Sequence, residues 1–319
     1  MRVAVTGATG NVGSVLLPAL AHHDEIDEIV GVARHLPSWT VPKVRWHAAA
    51  VERDDLAVAF RGADVVVHLA WIIQPSRDTE RQRVVNVVGT QRVLAAAAAE
   101  GVGAIVHASS VGAYSAGPRD RLVDESWPTD GTARLAYSWQ KAYVERLLDR
   151  FERDNPTARV VRMRPALIMQ RMAGHEVKDY FLGPLVPPFL LQPGPLLAAL
   201  RFGPLQLQAV HATDVAQAFA LAVVSDATGA FNVAAPEVLG RDRPSLVPLL
   251  AQLANVTFEM RAQRTSGGWV EAAAELPLMD TSRIGRELGW QATWTAADAV
   301  ADLLGGMRDG ATGPTPALT

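Results

Sequence analysis

The stretch that most limits what this chain can fold into is its opening, Arg2-Val-Ala-Val-Thr-Gly-Ala-Thr-Gly-Asn-Val-Gly-Ser-Val-Leu-Leu17. Residues 2–5 are small or β-branched and run up to a glycine, the pattern of a short buried strand. Gly7, Gly10 and Gly13 follow at intervals of three, and from Val12 the apolar residues take helical spacing. Glycine at these points lets the backbone turn sharply, lets its N–H groups approach a pyrophosphate and lets the helix pack closely on the strand. The helix N-terminus adds partial positive charge at the same place. The stretch predicts a dinucleotide-binding turn, with a turn built only for packing as the alternative. No Gly-Lys-Ser/Thr follows, which sets aside an ATP-gripping P-loop.

Strand-like runs recur after it at 28–33, 44–48, 64–69, 104–108, 160–164 and 229–233, with helical patterns clearest at 78–100, 137–154 and 214–224. Most of the strand runs are continuously apolar, as expected for strands covered on both faces. Alternating β and α elements of this kind predict an α/β fold, a doubly wound parallel sheet with helices on both sides. The pattern breaks twice. Residues 166–209 are rich in Pro, Leu and Phe, and residues 236–319 carry mostly helical signals, with an Ala/Thr/Pro/Gly tail from about Asp309 expected to fray. The expected division is a dinucleotide-binding unit at 1–165 and 210–235, with a smaller, discontinuous C-terminal substrate lobe at 166–209 and 236–319.

Composition narrows the partners. A hydrophobic content of 49% against 20% charged residues belongs to a globular enzyme rather than a disordered chain, and 319 residues suffice for a sizeable core. The net charge of −3, with no basic block, argues against nucleic acid or an anionic membrane as partner. Cysteine is absent, which removes disulfides, thiolate metal sites and cysteine nucleophiles together. No His/Asp/Glu spacing suggests a metal. The glycine motif begins at residue 2 and Pro184, Pro187 and Pro188 interrupt the longest apolar run, so neither a leader nor a membrane span is expected, and the location expected is cytoplasmic.

The second stretch with chemistry in it is Tyr137-Ser-Trp-Gln-Lys141. Tyr137 and Lys141 lie four apart on a helical pattern and share a face, in a chain with only three lysines. An ammonium beside a phenol stabilises the phenolate and lowers its pKa, which makes the tyrosine usable as an acid/base. Ser109 and Ser110 close the strand run 104–108, and strand carboxyl ends border the ligand crevice of an open α/β sheet. A hydroxyl there can hold a substrate oxygen beside the phenol. The plainer alternatives are a half-buried tyrosine, a solvated lysine and a turn-capping serine.

Taken in order, these motifs resemble the extended short-chain dehydrogenases/reductases, also called the NAD-dependent epimerase/dehydratase family. The resemblance runs through Thr6-Gly-Ala-Thr-Gly-Asn-Val-Gly13, Asp64-Val-Val-Val-His-Leu-Ala70, Asn86-Val-Val-Gly-Thr90, Val106-His-Ala-Ser-Ser-Val-Gly-Ala-Tyr114, Tyr137–Lys141, Arg164-Pro165, His211-Ala-Thr-Asp-Val-Ala216, Phe231-Asn-Val-Ala234 and Leu288-Gly-Trp290. It implies a Rossmann-like fold and a nicotinamide dinucleotide held by Thr6, Gly7, Gly10, Asn11, Val12, Gly13, Leu69 and Ala70, with Tyr137 and Lys141 at the nicotinamide end. It also implies that Tyr137 is the general acid/base, that Lys141 holds the nicotinamide ribose and lowers the tyrosine pKa, and that Ser110, rather than its neighbour Ser109, holds the reacting oxygen.

Departures from the family pattern refine the expectation. An NAD-binding member carries Asp or Glu after the second strand, whereas here the run is Gly31-Val-Ala-Arg34-His35, and Arg34 favours a 2′-phosphate, hence NADP over NAD. Ala50 stands where an adenine-side aspartate is often found, with Glu52 and Asp54 nearby. The arginine that nucleotide-sugar members place before the His211 motif is missing from Leu205–Val210. That favours an oxidoreductase acting on a small or apolar carbonyl or alcohol. The alternatives are a nucleotide-sugar epimerase/dehydratase with tightly bound NAD, and a non-catalytic NAD(P)-binding regulatory protein. His68 and His107 fit packing within strands, and Asp124 and Glu125 a solvated loop. Apolar residues such as Val84, Val88, Leu147 and Phe151 on the helices at 78–100 and 137–154 point, by the same resemblance, to a homodimer.

Overall fold

The structure, a computed structural model, describes residues 1–73, 78–132, 135–178, 206–240 and 274–318. Its centre is a seven-stranded parallel sheet. Strands β1 (Arg2–Thr6), β2 (Glu28–Ala33) and β3 (Val44–Ala48) form one half, and β4 (Val65–His68) and β5 (Ala104–Ala108) continue from the other side of β1. The chain leaves β1 in one direction and returns beside it in the other, so the crevice of a Rossmann-like sheet opens between the carboxyl ends of β1 and β4.

The continuous apolar strands are explained by two faces of equal dryness. On one, Val3, Val5, Val65, Val67 and Val106 pack under Leu16, Leu17 and Leu20 of helix α1 (Gly13–Ala21). On the other, Ala4, Val66 and Ile105 pack under Phe60 of α2 (Ala57–Phe60). That second face is covered further by a long helical run: α3 (Thr79–Arg83), a π turn (Val84–Val88) and α4 (Gly89–Ala99). Side chains alternate between faces along a strand, so only a run apolar at every position fills both layers.

Beyond β5 the chain forms β6 (Leu122–Val123), the long helix α5 (Ala136–Asp154) and β7 (Arg159–Pro165), which pairs with β5. Leu147 and Phe151 on α5 are buried in the chain's own core, and Val84 and Val88 are half-buried, so less of this apolar surface is spare than the sequence suggests. Then come β8 (Leu167–Met169), α6 (Gly174–Val177), β9 (Ala209–His211), α7 (Ala212–Val224) and β10 (Gly229–Val233), which closes the sheet beside β7. Two short parallel pairs lie outside the main sheet: β8 with β9, and β6 with β11 (Leu278–Met279).

Helices α8 (Ser282–Leu288) and α9 (Ala296–Asp309) follow, and Ala296, Val300, Leu303, Leu304 and Met307 of α9 join Ala209, Ala235 and Leu239 in a separate apolar cluster. Much of the expected substrate lobe, including Pro184, Pro187 and Pro188, lies outside the described residues. The tail departs from expectation. It does not fray through 310–318, where Thr315 and Leu318 are buried. Among the described residues no helix is long and apolar enough to cross a membrane.

The histidines in the sheet are structural. Thr90 Oγ1 donates to the Asn86 carbonyl at 2.6 Å and stands 2.9 Å from His68 Nε2, while His68 Nδ1 stands 2.7 Å from Thr6 Oγ1. With the Thr90 proton committed to Asn86, His68 donates through Nε2 and accepts from Thr6 through Nδ1, a neutral ring with both nitrogens used. Burial, with the Lys141 charge adding to it, pushes the His68 pKa down to about 3. His107 on β5, its ring tilted against that of His68 at 5.2 Å between centres, is also held well below its ordinary value by burial and finds no hydrogen-bond partner for either nitrogen among the described residues. The unfolded chain takes up these protons near pH 6.5 and the folded chain resists, so stability falls as pH drops below about 6.5, for His68 down to about 3. Each such histidine contributes about 1.4 kcal/mol per pH unit. His107→Leu is expected to flatten the acid-side slope of urea-unfolding free energy by about that amount; an unchanged slope would mean His107 titrates normally.

Candidate active site

The glycine loop sits on the crevice. Gly7 has a φ of +70°, and a Cβ there would stand 2.6 Å from the Ala70 amide nitrogen, so only glycine lets the end of β1 lie against the end of β4. A Cβ on Gly13 would stand 2.4 Å from the Ala8 carbonyl oxygen, which fixes how closely α1 approaches the loop. The Leu69 N–H donates to the Thr6 carbonyl at 3.0 Å and the Ala8 N–H to the Val32 carbonyl at 3.3 Å. Thr6, Gly7, Leu69 and Ala70 therefore meet as one floor, with Gly10, Asn11, Val12 and Gly13 leading into α1. A backbone cradle that side chains would fill, at a helix N-terminus, fits the diphosphate of a dinucleotide. Arg34 stands exposed at the exit of β2. Ala50 is buried and its N–H is taken by the Asp54 carboxylate at 2.7 Å, so Asp54 is turned onto its own loop.

The second group gathers at the end of β5. Tyr137 opens α5 and shares a hydrogen bond with Ser110, whose Oγ accepts the Gly112 N–H at 3.0 Å. A Cβ on Gly112 would lie 2.8 Å from Tyr137 Cε1, so this glycine makes room for the phenol ring. One turn on, Lys141 is buried and donates from Nζ to the Ala108 carbonyl at 2.6 Å. The Trp71 ring covers the ammonium at 3.5 Å and meets the Tyr137 ring edge-on at 6.1 Å. Trp71 follows Ala70, so residues 69–71 join the glycine floor to the Ser110–Tyr137–Lys141 group.

The electrostatics differ from expectation. Burial pushes the Tyr137 phenol up to about 12, only partly offset by Ser110, and Lys141 Nζ lies 5.8 Å from the ring centre. Burial also holds Lys141 well below its ordinary value, against the pull of Glu145. In this arrangement burial outweighs the Ser110 hydrogen bond and the phenol keeps its proton, while the ammonium is engaged by the Ala108 carbonyl and Trp71.

Ser109 faces the other way. Its Oγ donates to Glu145 Oε1 at 2.6 Å, and the same carboxylate takes Arg164 Nε at 2.9 Å and Nη2 at 2.7 Å. Arg162 Nε approaches it at 3.7 Å. Burial alone would raise the Glu145 pKa, but the bonds and charge of Arg164 outweigh it and hold the carboxyl below its ordinary value. Arg164 also donates to the Tyr114 hydroxyl and the Glu125 carbonyl, and Glu125 Oε1 accepts the Asn232 N–H at 2.9 Å. Glu125 is thus half-buried support rather than a solvated loop residue, whereas Asp124 is exposed and caps Ser126. Trp71, Gly112 and Glu145 are additions to the sequence-based site. Glu145 had a signal in its spacing, one further turn along the face of Tyr137 and Lys141.

Beside Val111 a recess is lined by Ala166, Leu167, Leu207, Leu278 and Met279, with Gln206 and Gln208 at its edge. Next to these walls Arg119 donates to the carbonyls of Leu276 and Gln206.

Comparison with known proteins bears on the family and the fold. A family model described as the NAD dependent epimerase/dehydratase family matches residues 3–234. An uncharacterized protein of Mycobacterium tuberculosis is 29% identical over 313 residues, covering 97% of this chain and 30% of that protein, so the chain spans about a third of the length of such curated relatives. The L-arabinose 1-dehydrogenase (NAD(P)(+)) of Haloferax volcanii is 38% identical over 109 residues, 34% of this chain and 41% of that enzyme. Among solved structures, MoeE5 in complex with UDP-glucuronic acid and NAD superposes with a TM-score of 0.71 at 20% identity, covering 97% of this chain and all of that one. That likeness is one of fold.

Breaking the buried ion pair tests how the face is held. Glu145→Leu strands Arg164 without its partner and is expected to cost about 3–5 kcal/mol in urea unfolding. Glu145→Leu combined with Arg164→Met should recover most of it. A single-variant loss under about 1 kcal/mol would show the pair is dispensable.

Proposed function

The chain belongs to the NAD dependent epimerase/dehydratase family, and from that premise we propose that it is an NAD(P)-dependent oxidoreductase acting on a small or apolar carbonyl or alcohol. The observation that carries this reading is the Ser110–Tyr137–Lys141 group, assembled at the end of β5 and joined through residues 69–71 to the glycine floor. A bound nicotinamide dinucleotide supplies or accepts the hydride. Ser110 orients the substrate oxygen. Tyr137, protonated in this setting, donates its proton to that oxygen in the reducing direction and takes one back in the other. Lys141, one turn along the same face and held on the Ala108 carbonyl, would hold the nicotinamide ribose.

We infer a preference for NADP from Arg34, exposed at the exit of β2 with no acidic residue in the run 31–35. The walls beside Val111 are lined by uncharged groups, and Arg119 next to them is already committed to two carbonyls, which favours a small or apolar substrate over a charged one. Epimerase or dehydratase chemistry on a nucleotide sugar, with NAD retained, is the second reading, supported by the family itself. The proposal also includes a homodimer through the helices at 78–100 and 137–154, across a groove edged by exposed Gln91, Ala95, Ala98 and Asp154 and floored by the buried Leu94, Leu147 and Phe151.

Two experiments test these assignments. Tyr137→Phe is expected to lower carbonyl reduction at least about 100-fold while dinucleotide binding stays within about twofold; wild-type turnover would remove Tyr137 from its role. Conversion of substrate without net change in NADPH would favour the second reading. Arg34→Ala should weaken NADPH about tenfold and leave NADH unchanged in equilibrium titration. Equal weakening of both would show that Arg34 does not meet a 2′-phosphate.

A further inference from the structure

The C-terminal tail reaches back to the first loop of the protein. Gly310 ends α9 in the left-handed region at a φ of +63°, and the Ala311 N–H returns to the Gly306 carbonyl at 2.9 Å. The Gly313 N–H donates to the Leu318 carbonyl at 2.7 Å and the Leu318 N–H to the Thr315 carbonyl at 2.9 Å, closing a small loop. A Cβ on Gly313 would stand 2.8 Å from Leu318 Cβ, so the loop is tight. At its buried tip Thr315 Oγ1 donates to the Thr9 carbonyl at 2.7 Å. From beyond β8, buried Gln170 donates from Nε2 to the Asn11 carbonyl at 2.7 Å and also meets the Asn11 side-chain oxygen. Ser14 Oγ shares the Asn11 carbonyl at 3.0 Å.

Thr9 and Asn11 flank Gly10 in the glycine loop. A trans peptide is planar, so fixing the direction of a carbonyl fixes the N–H of the next residue the opposite way. Holding the Asn11 carbonyl on Gln170 and Ser14 turns the Val12 N–H away from them, at the start of α1 where backbone donors and the helix dipole favour an anion. Holding the Thr9 carbonyl on Thr315 turns the Gly10 N–H inward, where it closes the turn onto the Gly7 carbonyl at 3.0 Å. Two carbonyl oxygens that would repel a phosphate are both occupied by donors from distant parts of the chain.

We propose that Thr315 and Gln170 are positioning residues for the dinucleotide diphosphate, and that the tail 311–318 is a latch that sets dinucleotide affinity through the shape of the glycine loop. This rests on the dinucleotide reading above. The test uses the full chain and equilibrium titration with NADPH and with NADH, in wild type, Thr315→Val, Thr315→Ser and Gln170→Leu. Thr315→Val, which keeps the shape and loses the donor, should weaken both dinucleotides by about three- to tenfold and by the same factor, since the diphosphate is common to them. Thr315→Ser should bind like wild type. Gln170→Leu should weaken both as well, which keeps the test open if Thr315→Val fails to fold. Amide exchange of residues 7–13 without ligand should quicken in Thr315→Val. Unchanged affinity and unchanged exchange in both donor-deleting variants would overturn the latch. A wild-type chain that binds neither dinucleotide overturns the cofactor reading instead, and the exchange comparison then judges the latch alone.

Discussion

A carboxylate with 1% of its surface exposed is a costly thing to place in a protein, and the site is arranged around one. Glu145 would cost several kcal/mol to desolvate alone. It is tolerated because Arg164 meets it side-on with two nitrogens and Ser109 supplies a further donor. Those partners come from β7 and from the end of β5, so satisfying the carboxylate fixes how α5 is rotated about its own axis. Tyr137 and Lys141 lie two turns and one turn earlier on that face and inherit its orientation. The same guanidinium reaches Tyr114, whose hydroxyl donates to Asn232 on β10, so the rear of the site is tied across three strands.

The parts of the fold legible in the sequence were those that bury the most apolar area per residue. Strands covered on both faces must be apolar at every position, so β1, β2, β4 and β5 stood out from the chain. The pairs β6–β11 and β8–β9 did not, because two or three residues hold too little area for a period and are made by distant segments meeting. The tail was hidden for a related reason. Its composition is that of a frayed end, and its order comes from one hydroxyl and a closed loop rather than from an apolar run.

Within the site, the grouping of the residues was legible and their electrostatics were not. Motif spacing put Ser110, Tyr137 and Lys141 together, and the structure separates Ser110 from Ser109 by the partner each one finds. Spacing carries no account of burial, however. What the spacing could not carry is the desolvation of both Tyr137 and Lys141 and the tryptophan lying over the ammonium. Trp71 lies just past the Asp64–Ala70 motif, and only tertiary structure shows that a residue three beyond β4 reaches α5.

The π turn at Val84–Val88 shapes the same crevice by another route. Asn86 within it grips Ile72 at both backbone groups, accepting its N–H at 2.7 Å and donating to its carbonyl at 3.0 Å. A side-chain amide thus imitates an adjacent strand for one residue, and the chain can leave β4 at the crevice mouth without exposing an unpaired peptide. The extra residue in that turn also carries an angular cost. Each helical residue advances the azimuth by about 100°, so everything on α4 is rotated by that amount relative to an uninterrupted helix. The apolar stripe of α4 and the grip of Asn86 are therefore in phase only through the insertion, and a chain shortened by one residue there could keep one of them but not both.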